Sequence, residues 1–399
     1  MQFARTMTIT RAGTLALGLL GAGAAGSGAL AQDEATTATA VTAATTAPSS
    51  PASSPSSIKD LVVVSWGGSY TRSQMLAFIN PYRDAIGEWV EMETYTGGLD
   101  QIRAQVRSAN VTWDVVDFEQ SDLLRGCAEG LLTKIDHSTL PAGADGTPAA
   151  QDFIEGALTD CGVGQAVWAT VIAYDTEAVG GTPPATLADF FDARKFPGGR
   201  GLRRDPRVAM EWALLADGVA PGQVYAVLDT EDGRARAFRM LNRIRNNIVW
   251  WSDGDEPVEL LREDDVVMTA VWNGRTYGPI VEESEPIALV WDGQVWDIDS
   301  WGIPAGSYNL KKAMDFIAFS TGSERLADQT KYISYGPGRK SSMAFVSDDV
   351  KAHLPTSEEH LANALQINAE WWAQNIDAVR VEFENWIVAG GRGLSGSAR

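Results

Sequence analysis

Histidine and cysteine are scarce in this 399-residue chain: three of the first (His137, His353, His360) and two of the second. Their spacing builds no local cluster for a metal, and neither a metal nor any other cofactor is expected. No G-x-S-x-G elbow occurs, so a hydrolase triad has no local elbow signature. Basic residues are short as well. The 32 Lys+Arg face 52 Asp+Glu, a formal charge of −20, and such a field repels phosphate backbones. This argues against nucleic acid as the main partner; a cationic or neutral one fits better. Beyond the N-terminus no run of 18 apolar residues occurs, so nothing there reads as a membrane span. Gly336-Pro337-Gly338-Arg339-Lys340-Ser341 lacks the G-K-[ST] ending and the glycine spacing of a phosphate loop.

What is present is globular in kind. Hydrophobic residues are 45% and charged residues 21%, near the usual averages. The length leaves room for two to three domains of about 150 residues. Residues 1–31 read as a secretory signal peptide: Arg5 and Arg11, an apolar small-residue stretch over 12–25, and the A-x-A site Ala29-Leu30-Ala31 before Gln32. A membrane anchor is the alternative, weakened by the short, Gly/Ala-rich stretch. Residues 32–57 are Ala, Thr, Ser and Pro with almost no large apolar side chain, the composition of a disordered spacer. Cys127 and Cys161 both follow the leader. In an oxidising compartment two cysteines most often pair; two buried free thiols are the alternative. If bonded, they close a loop of about 35 residues, worth roughly 3–4 kcal/mol in the chain-entropy model.

Leu61-Val62-Val63-Val64-Ser65-Trp66, stopped by Gly67-Gly68, reads as a strand buried on both faces. Residues 71–86 have helical spacing, 90–95 alternate as a strand, 99–109 are helical, 113–118 form a third strand and 121–127 start another helix. This alternation predicts an α/β open, mainly parallel sheet. Ligands of such sheets sit beyond the carboxyl ends of the strands. Trp66-Gly67-Gly68-Ser69 and Phe118-Glu119-Gln120-Ser121 therefore share one rim. The second half repeats the style, with a long strand over 163–174, helices over 208–216 and 233–246, and a strand over 266–272. A hairpin is expected from 287–290 and 295–298 around Asp292-Gly293, then a helix over 310–320. A helical, Trp-rich tail runs over 358–388.

Fourteen tryptophans are many. Trp66 and Trp272 end strands, Glu119 follows another, and Trp296 and Asp299 flank a return crossing. Indole faces with inward carboxylates suit an organic cation: cation–π on the ring, charge-assisted hydrogen bonds on the acid. Ordinary packing is the alternative for any single Trp.

The segments "LVVVSWGGSY", "WDVVDFEQSDLL", "AVWATVIAYDT", "LADFFDARKFPGGRGL", "VVMTAVWNGR", "WDIDSWGIPAGSYNLKKAMDFIAF" and "YISYGPGR" follow one another over residues 58–390. In content and order they resemble the spermidine/putrescine-binding family of periplasmic solute-binding proteins, which feed ABC importers. The resemblance implies two α/β lobes joined by hinge crossings and closing around one ligand. It implies a monomer that catalyses nothing and delivers a small cationic, polyamine-like solute to ABC permease subunits. Lobe 1 is expected over 58–167 plus about 299–345, lobe 2 over about 168–298 plus part of 346–390, and a flexible tail over 391–399. The contacts it implies are Trp66 with Gly67 and Ser69 beside it, Glu119, Asp205, Trp272, Trp296, Asp299 and Tyr335. Two departures stand out. The family's second acid, three positions after Asp205, is Val208 here, and its aromatic two positions before Asp299 is Asp297. With Arg203, Arg204 and Arg275 nearby, one end of the site suits a ligand that carries a carboxylate. The alternatives are a secreted hydrolase using paired carboxylates and a ligand sensor with the same pocket.

Overall fold

The computed structural model describes residues 60–391. The leader, the cleavage site after Ala31 and the spacer lie outside the described residues, as do residues 392–399. The described chain builds one sheet from eleven strands. In chain order they are β1 (Leu61–Ser65), β2 (Val90–Thr94), β3 (Val115–Glu119), β4 (Leu158–Thr159), β5 (Gly162–Asp175), β6 (Arg200–Arg203), β7 (Ile248–Trp251), β8 (Met268–Trp272), β9 (Ile287–Gly302), β10 (Gly336–Pro337) and β11 (Leu365–Gln366). The main order is β2-β1-β3-β9-β5-β8-β6-β7.

The long antiparallel pair β5 and β9 organises everything else. It is in register from Gly162↔Gly302 to Asp175↔Ile287, with two irregularities on the way. At the Gly162/Gly302 end, β3 pairs with β9 and leads to β1 and β2, which run parallel to it. At the Asp175/Ile287 end, β8 pairs with β5 and leads to parallel β6 and β7. Two groups of parallel strands on opposite ends of one shared pair make a two-lobed α/β fold, with β5 and β9 as the crossings. β1 is buried along its whole length, as its unbroken apolar run requires.

Helices cover both faces. In the first lobe, Phe78 and Phe316 pack edge-on against fully buried Trp301. In the second, Phe190 packs edge-on against fully buried Trp212. The helix Ala369–Gly391 ties to both halves. Its Asp377 accepts a two-pronged bond from Arg125 on the helix Gln120–Ala128. Its Trp372 indole donates to buried Glu211 on the helix Pro206–Ala216. Cys127 and Cys161 are bonded, with Cα atoms 5.7 Å apart, and fasten the first of these helices to the start of β5.

Two expectations from the sequence fail. The hairpin at Asp292-Gly293 does not form, because both of its arms pair with the same strand, β5. Gly293, at φ +72°, absorbs a register shift instead of turning the chain. Its carbonyl accepts from the Trp212 indole, and Asp292 accepts from the Leu187 amide. The tail is likewise broken. A short helix Glu358–Leu361 and the strand β11, parallel to β9, precede the terminal helix.

Candidate functional site

The carboxyl ends of β1, β3 and β8 converge with the middle of β5 and β9 on one tight cavity of about 10 Å³. Trp66 follows β1, Trp272 closes β8, and Trp168 lies on β5. The three indoles form a chain, Trp66–Trp272 at 5.9 Å and Trp168–Trp272 at 5.8 Å between ring centroids, both edge-on. Gly97 makes room for Trp66: a Cβ there would stand 2.3 Å from the indole. Tyr335, just ahead of β10, packs at 5.2 Å against Tyr70 to form another wall.

The charged walls are Glu119, Asp299 and Arg275. Glu119 on β3 and Asp299 on β9 stand directly opposite in antiparallel register. Like charges so placed are unfavourable. Glu119 is answered from within the chain, by Arg203 Nη1 at 2.5 Å and Arg207 Nη1 at 2.6 Å. Asp299 is not. Among the described residues its carboxylate accepts one bond, from the Trp168 indole at 2.8 Å. Burial, then the nearby Asp117, Glu119 and Asp297, hold its carboxyl well above the usual range. Asp297, two residues earlier on the strand, is pushed up to about 8, first by burial.

Arg275 follows β8, and its side chain is fully buried. Nη1 donates to Asp255 at 2.8 Å and to the Gly67 carbonyl at 3.1 Å. Nε and Nη2 have no partner among the described residues. The cavity thus pairs a carboxylate lacking a cation with a guanidinium that has donors to spare.

Trp66, Glu119, Trp272, Asp299 and Tyr335 come together on the cavity as read from the sequence. Gly67 and Ser69 stand behind it, Gly67 accepting from Arg275 and Ser69 bonded to Asp255. Asp205 lies off the cavity wall. It caps the helix Pro206–Ala216 and pairs with Arg207 and Arg380. Burial alone would raise its carboxyl, but Arg207, Arg203 and Arg380 hold it well below the usual range. Trp296 is half-buried on β9, packed among apolar side chains away from the cavity. Tyr70 and Trp168 were not singled out from the sequence, and Arg275 only as a basic neighbour.

A sequence profile of bacterial extracellular solute-binding proteins matches residues 77–356. The chain belongs to that family. This solute-binding protein is 36% identical over 328 residues to the gamma-aminobutyric acid-binding protein of Pseudomonas aeruginosa, covering 82% of this chain and 91% of that one. Among solved structures it resembles the periplasmic binding protein AgtB from Agrobacterium tumefaciens R10 in complex with agropinic acid. That likeness has 29% identity, a TM-score of 0.74, and covers 83% and 99% of the two chains. The Atu4243–GABA receptor gives 28% identity and a TM-score of 0.72, covering 82% and 97%. Members of the family bind small solutes outside the cytoplasm for ABC permeases and are not enzymes. The likeness to a spermidine/putrescine-binding protein of Streptococcus pneumoniae, at 15% identity and a TM-score of 0.62, holds at the level of fold.

Proposed function

We propose that this solute-binding protein captures a small zwitterion of the ω-amino-acid kind, such as 4-aminobutanoate (GABA), and hands it to an ABC permease as a periplasmic monomer. The observation that carries the reading is the pair Asp299 and Arg275 on one cavity. The first lacks a cation and the second has two free N–H groups. An ammonium on Asp299 would relieve the repulsion across β3 and β9. A carboxylate on Nε and Nη2 of Arg275 would make the two-pronged bond that a guanidinium favours. Trp66, Trp272 and Tyr335 would enclose the alkyl chain between them.

A diamine such as putrescine satisfies Asp299 but sets its second ammonium against the buried Arg275 guanidinium, a repulsion that costs several kcal/mol. The further acids expected of a polyamine site are missing too: Asp205 is already paired with two arginines, and the position three residues on is Val208. The relatives named for GABA support the same choice. The lobes that close on the ligand are taken as 58–167 with about 299–345, and about 168–298 with part of 346–390.

Calorimetric titration with a matched series tests this. GABA carries both charges, putrescine two ammoniums, and glutarate two carboxylates. GABA should bind at least about a hundredfold more tightly than either homocharged analogue. Tighter binding of putrescine would return the site to the polyamine class.

A further inference from the structure

Asp117, on β3 two residues before Glu119, is fully buried. It is no wall of the cavity, but Tyr70 and Asp299, which are, both lie within reach of its charge. In register it stands opposite Trp301, two residues along the ladder from the pair Glu119 and Asp299. Its Oδ2 accepts from Gln74 Nε2 and from Gln165 Nε2, each at 2.7 Å. Among the described residues these neutral amides are its side chain's partners, and no cation pairs with it. Oδ1 has no partner there, and neither has Gln74 Oε1. Both are pure acceptors when Asp117 is ionised, so neither serves the other. A proton on Oδ1 turns one of the two into a donor.

The surrounding charges favour that proton. Asp299 approaches from β9, and Glu119 follows on the same strand. The other titratable neighbours are Tyr70, on the helix Gly68–Gln74, and Tyr95 after β2, whose hydroxyl donates to the Asp117 carbonyl. Arg203 and Arg207 answer Glu119. Asp117 and Asp299 have no such answer, and one ligand ammonium offsets only one of them. A second bare carboxylate out of water, with no cation, is costly. Burial pushes the Asp117 carboxyl up to about 7, against the bonds from Gln74, Tyr70, Gln165 and Ser65 that favour its charge. Asp299, once ionised for the ligand, repels a further negative charge.

We propose that Asp117 is a positioning residue for the binding site that keeps its proton when ligand is bound, so that Asp299 alone of the two carries the charge an ammonium meets. The site then has room for one positive charge, with Asp117 holding Gln74 and Gln165 in place behind Tyr70. This rests on the reading of the cavity given above, with the ammonium on Asp299.

The test is through-bond NMR of the side-chain carboxyl carbons of the whole protein, which tells acid from carboxylate for each Asp separately, with GABA added at about pH 6. Asp117 should read as the acid before and after, while Asp299 passes from acid to carboxylate. Calorimetry on two variants adds a second readout. Asp117→Leu leaves the Gln74 and Gln165 amides without their acceptor and should weaken GABA binding about tenfold or more. Asp117→Asn, the neutral mimic of the acid, should restore most of that loss. Asp117 reading as carboxylate in the complex overturns the proposal, whether or not the variants fold. So does Asp117→Asn binding no better than Asp117→Leu, since a charge at 117 would then be needed. An Asp299 signal indifferent to GABA defeats the cavity reading itself, and the role of Asp117 with it.

Discussion

Glu119 and Asp299 face each other across two strands, and only Glu119 has cations of its own. If Asp299 holds the ligand's ammonium, Asp299→Asn should cost about 1.5–3 kcal/mol of binding, the worth of a charge-assisted hydrogen bond. Its melting curve should stay cooperative; unchanged GABA affinity would remove Asp299 from the site. The proton balance gives a second check. In the free protein, burial and three neighbouring acids favour the protonated form of Asp299. An ammonium favours the carboxylate, so binding expels a proton and weakens as pH falls. Calorimetry in buffers of different ionisation heat should register that proton; none released would contradict the assignment. Asp297 makes a stability prediction. Its carboxyl is pushed up to about 8, mainly by burial, against about 3.9 in the unfolded chain. The folded state holds the proton through that interval. The contribution is therefore full below about pH 4 and lost as pH rises through about 8. Asp297→Asn should flatten the fall of the melting midpoint across this range, and an unaltered slope would count against it. The residues hidden from sequence reading are instructive. Tyr70 and Trp168 sit where a helix and a buried strand want apolar bulk, so their pattern is that of core. That Arg275 keeps two N–H groups unused is a tertiary fact. Asp205 was readable: an Asp followed by Pro at a helix start is a capping signal, and that local role is the one it performs.

Among elements, the first turn of the helix Gly68–Gln74 and the loop before the helix Glu256–Arg262 meet at one carboxylate. Asp255 accepts from the Ser69 amide at 3.2 Å, the Ser69 hydroxyl at 3.1 Å and Arg275 Nη1 at 2.8 Å. The contact joins a segment following β1 to one between β7 and β8, hence both lobes. It also orients the guanidinium assigned to the ligand's carboxylate. Asp255→Asn should speed ligand release more than it slows association. Its effect should be near 1 kcal/mol, since the side chain is partly exposed. Stopped-flow fluorescence separates the two rates; an effect confined to association would rule out a latch. The disulfide is a second inter-element tie, and replacing both Cys127 and Cys161 by Ser should cost about 2–5 kcal/mol in a denaturant titration. No measurable loss would show that the tie is redundant. Element types were legible wherever one physical signal dominated. The apolar run of β1 and the amphipathic spacing of Leu310–Ser320 read correctly. The Asp292-Gly293 signal misled because a glycine at positive φ serves a bulge as well as a turn, and only the pairing of both arms with β5 decides between them.

For the molecule as a whole, the energetics require that ligand contacts strengthen on closure, since a ligand shifts lobes only by its differential affinity for the two states. The architecture provides for this by spreading the proposed contacts over both lobes: Trp66 and Tyr70 after β1, Trp272 at the end of β8 and Arg275 after it, and Asp299 on the crossing itself. The two-lobed α/β plan was legible from strand–helix alternation and motif order, because both are local in sequence. The ligand class was not, because it depends on which buried charges the chain neutralises for itself. Glu119 and Asp205 read as ligand acids, and in the structure arginines pair with both. The central claim is therefore one of charge placement: a cation on Asp299 and an anion on Arg275. A crystal structure of the GABA complex tests it most directly. The account predicts the ligand nitrogen about 2.7–3.0 Å from an Asp299 oxygen, and its carboxylate in two-pronged contact with Nε and Nη2 of Arg275. A ligand bound in the opposite sense, or seated away from both residues, would contradict it.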